Sequence, residues 1–119
     1  MELTSTDLPD GVRKIELRGR LDMEGAEAID LMFTVLTSSA RTLSIVDMTA
    51  VEFLASIGLA TIVRNAKAAR LREGAMVLLN PQPSVAKVLM SSRIDQVIPV
   101  CYSLDEARAR LSAAPSALL

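Results

Sequence analysis

The sequence predicts an α/β domain with one mostly parallel sheet of about five strands, an N-terminal hairpin strand and about four helices. Three observations carry this. Two runs of strand length, 42–48 and Ala75–Leu79, are largely apolar, as strands covered on both faces are. Segments of helical period lie between and around them: Met23–Ser38, 56–72 and Pro83–Ser91. After an opening pair of strands, helix and strand signals alternate, the order that right-handed crossovers assemble into one sheet.

The elements follow in turn. Residues 2–7 read as a short edge strand with a weak signal. Leu8-Pro9-Asp10-Gly11 is a turn, because proline sets φ and Asp-Gly favours a tight reversal. The strand 12–18 alternates, with Ile15 and Leu17 on one face and Lys14, Glu16 and Arg18 on the other, so the opening pair forms a hairpin. Gly19-Arg20-Leu21-Asp22 is expected to be a loop, with Asp22 as N-cap of the first helix, whose Ala26, Ile29, Phe33 and Leu36 recur at helical spacing with Met32 beside them.

Strand 42–48 is expected to end near Asp47, at the rim where α/β folds place their sites. A loop over 49–55 follows, pinned to the core by Val51 and Phe53. In the second helix Leu59, Ile62, Val63, Ala66 and Ala69 form the inner stripe, and Thr61, Arg64, Asn65, Lys67 and Arg70 the outer face. Gly74 closes this region and Ala75–Leu79 is the central strand. Pro83 suits the first turn of a third helix with Val85, Val88 and Leu89 inward. Ile94 and Val97 are expected to pack beneath it, ahead of a last strand at 98–101. Ser103-Leu104-Asp105-Glu106 reads as a capping box opening a helix to about Leu111. The tail from Ser112 reads as frayed, with Leu118 and Leu119 available to dock.

The 119 residues suit a single domain, 1–119, with an ordered core of about 2–111, and half of them are hydrophobic. A net charge of −1 argues against a nucleic-acid-binding surface as the main purpose. No apolar run is long enough to span a bilayer, and the N-terminus lacks the basic and apolar regions of a signal peptide. With a single cysteine, the expected setting is cytoplasmic and reducing. Cys101 reads as a small core residue. There is no histidine, so the commonest general base and metal ligand are both missing. No metal, no cofactor and no catalytic residue is expected.

The stretch 47–59 organises the chain. An acid, Asp47, closes an apolar strand, and Ser56 opens a helix. A helix start presents unpaired N–H groups and partial positive charge, so a serine there serves as an N-cap, and a phosphate there would also be stabilised. Gly58 costs roughly 1 kcal/mol against alanine inside a helix; a close backbone approach by a partner would explain its use, and so would a packing need.

Asp47-Met48-Thr49, Val51, Phe53 and Ser56-Ile57-Gly58-Leu59 together resemble the signature of the STAS domain, and more narrowly that of bacterial anti-sigma-factor antagonists. Gly19-x-Leu21-Asp22 is similar to a second motif of that family. The resemblance implies a non-catalytic module that binds an anti-sigma factor with serine kinase activity. Phosphorylation of Ser56 would end that binding, and a phosphoserine phosphatase would restore it. It implies a contact surface of Asp22, Asp47, Thr49, Phe53, Ala55, Ser56, Ile57, Gly58 and Thr61. Two positions depart from the pattern: Ala55 stands where many members carry aspartate, and Ile57 where many carry serine or threonine. Ser56 therefore has no neighbouring hydroxyl to share its role.

Other classes fit less well. An enzyme would have to work from the Asp22 and Asp47 carboxylates, without a histidine, a Gly-x-Gly-x-x-Gly or a P-loop. A phosphoryl-receiver domain would use Asp47 as acceptor, but no lysine follows the last strand. The STAS module of an anion transporter would belong with membrane spans, which this chain lacks.

Overall fold

Ile15 and Leu17 turn to one face of their strand and Lys14 and Glu16 to the other, and this alternation sets the layers. The computed structural model describes residues 1–112. It contains β1 (Glu2–Asp7), β2 (Val12–Leu21), α1 (Met23–Ser38), β3 (Leu43–Leu54), α2 (Ser56–Leu71), β4 (Ala75–Leu79), α3 (Pro83–Ser91), a 3-10 turn at Ile94–Gln96, β5 (Val100–Cys101) and α4 (Leu104–Ser112). The strands lie in chain order, β1-β2-β3-β4-β5. β1 pairs antiparallel with β2, and every later pair is parallel.

Each parallel connection passes over the sheet with a helix, so α1, α2 and α3 share one face. There Leu17, Val46, Met48 and Leu78 pack with Phe33, Ile62 and Leu89. On the other face, among the described residues, α4 covers part of the sheet, closing Ile45, Val77 and Cys101 beneath Ala107 and Leu111. Cys101 is thus a core residue. The capping box holds: the Glu106 N–H donates to Ser103 Oγ at 3.1 Å, while the Glu106 carboxylate reaches one residue further back, to the Tyr102 N–H at 3.0 Å.

Several expectations are corrected. β2 runs on to Leu21 and β3 to Leu54, so neither 19–21 nor 49–54 is a loop. β5 is two residues long, not four. Thr61 and Asn65 are buried, not outward. Their polar atoms are met locally: Thr61 Oγ1 donates to the Ile57 carbonyl at 3.2 Å, and Asn65 Nδ2 to the Thr61 carbonyl at 2.9 Å. The hydroxyl of Ser38 on α1 then donates to Asn65 Oδ1 at 2.9 Å, tying α1 to α2 through a buried polar seam. Ile94 packs on the core as expected, but Val97 is exposed. The expectations for Leu118 and Leu119 lie outside the described residues.

Candidate functional site

β3 loses its β4 neighbour after Asp47, which pairs with Leu79. From there it continues beside β2 alone as an arm, 49–54. Glu16 pairs with Asp47 but Arg18 with Ala50; Gly19 pairs with Val51 but Arg20 with Phe53. β3 therefore carries an extra residue at each of two bulges, which bend and twist the arm.

Asp47 sits at the root of the arm and is 7% exposed, so it is not a rim residue. One carboxylate oxygen accepts the Thr49 N–H at 3.0 Å and the Thr49 hydroxyl at 2.6 Å. The other lies 3.6 Å from Lys14 Nζ. From the far side, Asn80 Nδ2 donates to Thr49 Oγ1 at 3.1 Å and Gln82 Nε2 to the Thr49 carbonyl at 2.9 Å. Side-chain amides thus replace the missing strand where β4 has turned away.

At its tip the arm meets the end of β2 and the start of α1 at one rim. Phe53 is 40% exposed, with the Arg20 guanidinium 4.3 Å from its ring centroid. The same guanidinium lies 3.5 Å from Asp22. Asp22 caps α1, accepting the Gly25 N–H at 2.9 Å. That hydrogen bond, helped by Arg20, holds the Asp22 carboxyl below its ordinary pKa. The Ala55 N–H then donates to the Leu21 carbonyl at 3.0 Å, and α2 begins.

The N-cap of α2 is Ala55, in extended conformation with no side-chain capping bond; Ser56 is the first helical residue and is exposed. The reading of Ser56 as the cap is one residue off. The start of α2 accordingly presents its first N–H groups without any side-chain acceptor. Ile57, 44% exposed, follows Ser56 outward, and Met23, 61% exposed, opens α1 nearby.

Gly58 is explained by the domain itself. A Cβ there would lie 2.5 Å from both the Leu21 carbonyl oxygen and Leu21 Cγ. Gly25 is required in the same way, because a Cβ would come 2.1 Å from the Arg20 carbonyl. Both helix starts are seated directly on the end of β2.

Of the residues singled out from sequence, Asp22, Phe53, Ala55, Ser56 and Ile57 gather at this rim, with Gly58 buried beneath. Asp47 and Thr49 do not; they form the root of the arm. Thr61 does not either, since its side chain is buried, with its hydroxyl turned back on the Ile57 carbonyl. Arg20 and Met23 were missed. Arg20 lies inside the Gly19–Asp22 motif, and only the length of β2 shows that it shares a face with Phe53.

The family model of the STAS domain matches residues 5–107, from within β1 into α4. The chain belongs to the STAS family. No curated protein sequence matches it. Among solved structures, this STAS domain is similar to an anti-sigma-factor antagonist domain protein of Planctomyces limnophilus at 23% identity and TM-score 0.79, covering 92% of this chain and 97% of that one. It is also similar to an anti-sigma factor antagonist of Mycobacterium paratuberculosis, at 22% identity and TM-score 0.80, with coverages of 93% and 95%. The phosphorylated form of the Bacillus cell fate determinant SpoIIAA aligns at 21% identity and TM-score 0.66, over 92% of this chain and all of that one (100%). At these identities the likeness is one of fold.

Proposed function

We propose that this STAS domain is an anti-sigma-factor antagonist: a binding module, not an enzyme, that engages an anti-sigma factor with serine kinase activity and is released when that kinase phosphorylates Ser56. A phosphoserine phosphatase resets it, and all three act in the cytoplasm. The observation that carries this reading is the exposed Ser56 hydroxyl on the first turn of α2, among exposed Phe53, Ile57 and Met23.

The charge logic follows from the rim. Phosphate adds about −1.5 to −2 charge. Asp22, Glu24 and Glu52 already line the adjoining hollow, and Arg20, the one basic side chain among its described lining residues, is engaged by Asp22 and Phe53. A phosphate in the middle of a contact surface would oppose any partner lacking a counter-ion of its own. Meanwhile the uncapped start of α2 favours negative charge. The switch therefore acts by surface charge, with the domain remaining folded.

A receiver-type reading with Asp47 as acceptor is disfavoured, because both its oxygens are engaged and it is buried. The test is to incubate the chain with ATP and lysate of its source cell and to map phosphate by mass spectrometry. Phosphate on Ser56 is expected. Phosphate on Thr49 or Thr61, with Ser56 unmodified, would contradict the proposal.

A further inference from the structure

The sheet has a gap beside β4, and Pro99 makes it. β5 pairs with β4 only at Leu78 with Val100 and Leu79 with Cys101. Here the Leu78 N–H donates to the Pro99 carbonyl at 2.9 Å. One step earlier in the same parallel ladder, residue 99 would donate to the Met76 carbonyl, and Met76 would donate to the Val97 carbonyl. Proline has no N–H to give. The Val97 carbonyl instead accepts from Arg70 Nη2 at 3.0 Å. The ladder stops, and the backbone N–H and C=O of buried Met76 face the opening.

A cavity of about 250 Å³ occupies this gap, between α2 on one face of the sheet and α4 on the other. Buried Ala66, Met76, Ile98 and Leu111 form apolar walls, and Arg70 and Arg110 stand beside them; among the described lining residues no side chain is acidic. Among the described residues neither arginine is in an ion pair. Asp95 lines an adjoining hollow that shares Arg110. The cleft lies at the start of β4, at the opposite end of the strands from Ser56.

Two guanidinium groups and a backbone N–H over apolar walls select an anion with an apolar body. We propose that this cleft is a ligand site for a small carboxylic acid, of about ten non-hydrogen atoms by volume. Guanidinium matches the planar carboxylate. A monoanion also suits apolar walls better than a phosphate dianion, whose desolvation costs more. The site does not depend on the Ser56 reading.

The experiment is an NMR titration of the full chain with octanoate, with octylammonium as the charge-reversed control. Saturable shifts at Met76, Val77, Ile98 and Leu111 are expected, with Phe53 to Gly58 unmoved. Arg70→Gln and Arg110→Gln should each weaken octanoate roughly tenfold, as loss of a charge-assisted hydrogen bond does. Shifts that never saturate, an equal response to octylammonium, or undiminished octanoate affinity in a folded double variant would overturn the site. Should the double variant lose its native spectrum, the contrast between the two probes on the unaltered chain decides alone.

Discussion

Ser56 does two things that sequence reasoning merges: it sits at a helix start, and it faces solvent. Only the second needs a serine. Since Ala55 occupies the cap position, Ser56→Ala removes no capping bond. It should change stability by less than about 0.5 kcal/mol, as exposed substitutions usually do, checked by urea denaturation. Ala55→Asp should do the opposite of a neutral change. It supplies the missing acceptor in an extended conformation suited to it, and should stabilise the domain by about 1 kcal/mol. Asp22 gives a pH signature at the same rim. Its pKa is lowered in the folded state by the Gly25 N–H and Arg20. Its contribution is therefore complete above the unfolded value of about 3.9, and is lost as pH falls through the lower folded value. Asp22→Asn should flatten the acid limb of the melting temperature against pH; an unchanged limb would show that the cap carries no pH-dependent stability.

At the scale of the element, the arm 49–54 is the part of the site least legible in sequence. An acid after an apolar run reads as a strand exit, so Asp47 was expected at the rim. In the fold the strand continues for seven residues past it, to Leu54, through two bulges that no periodic pattern announces. The arm is held by β2 on one side and by the Asn80 and Gln82 amides on the other. Replacing both amides by alanine should leave the fold intact but speed hydrogen exchange of 50–55 relative to β4; unchanged exchange would mean that β2 alone holds the arm. Gly58→Ala should destabilise by about 1–3 kcal/mol through overpacking against Leu21, read from the denaturation midpoint. Thr61 and Asn65 were misplaced for a related reason. A hydroxyl and an amide look wet on a helical wheel, but bonds to the preceding turn let both be buried, and Asn65 also accepts from Ser38 of α1.

For the whole molecule, the layer order was legible because it rests on long periodic stretches. Ile15 and Leu17, the Ala26–Ile29–Phe33 stripe and the apolar Ala75–Leu79 each point to one arrangement. The short elements were not: β5 is cut to two residues by Pro99, a tertiary effect of ladder chemistry rather than of local propensity. The fold brings the ends of β2 and β3 and the starts of α1 and α2 together, and Ser56 has its surroundings only through that convergence. In the proposed switch, charge at Ser56 sets partner affinity. The direct measurement is titration of the unmodified chain, Ser56→Ala and Ser56→Glu against the proposed anti-sigma partner at matched salt. Ser56→Ala should bind as the unmodified chain does. Ser56→Glu should bind roughly a hundredfold more weakly, if the uncompensated charge costs about 3 kcal/mol. Equal affinity for the Glu variant, shown to be folded, would remove Ser56 from the contact surface and the charge switch with it.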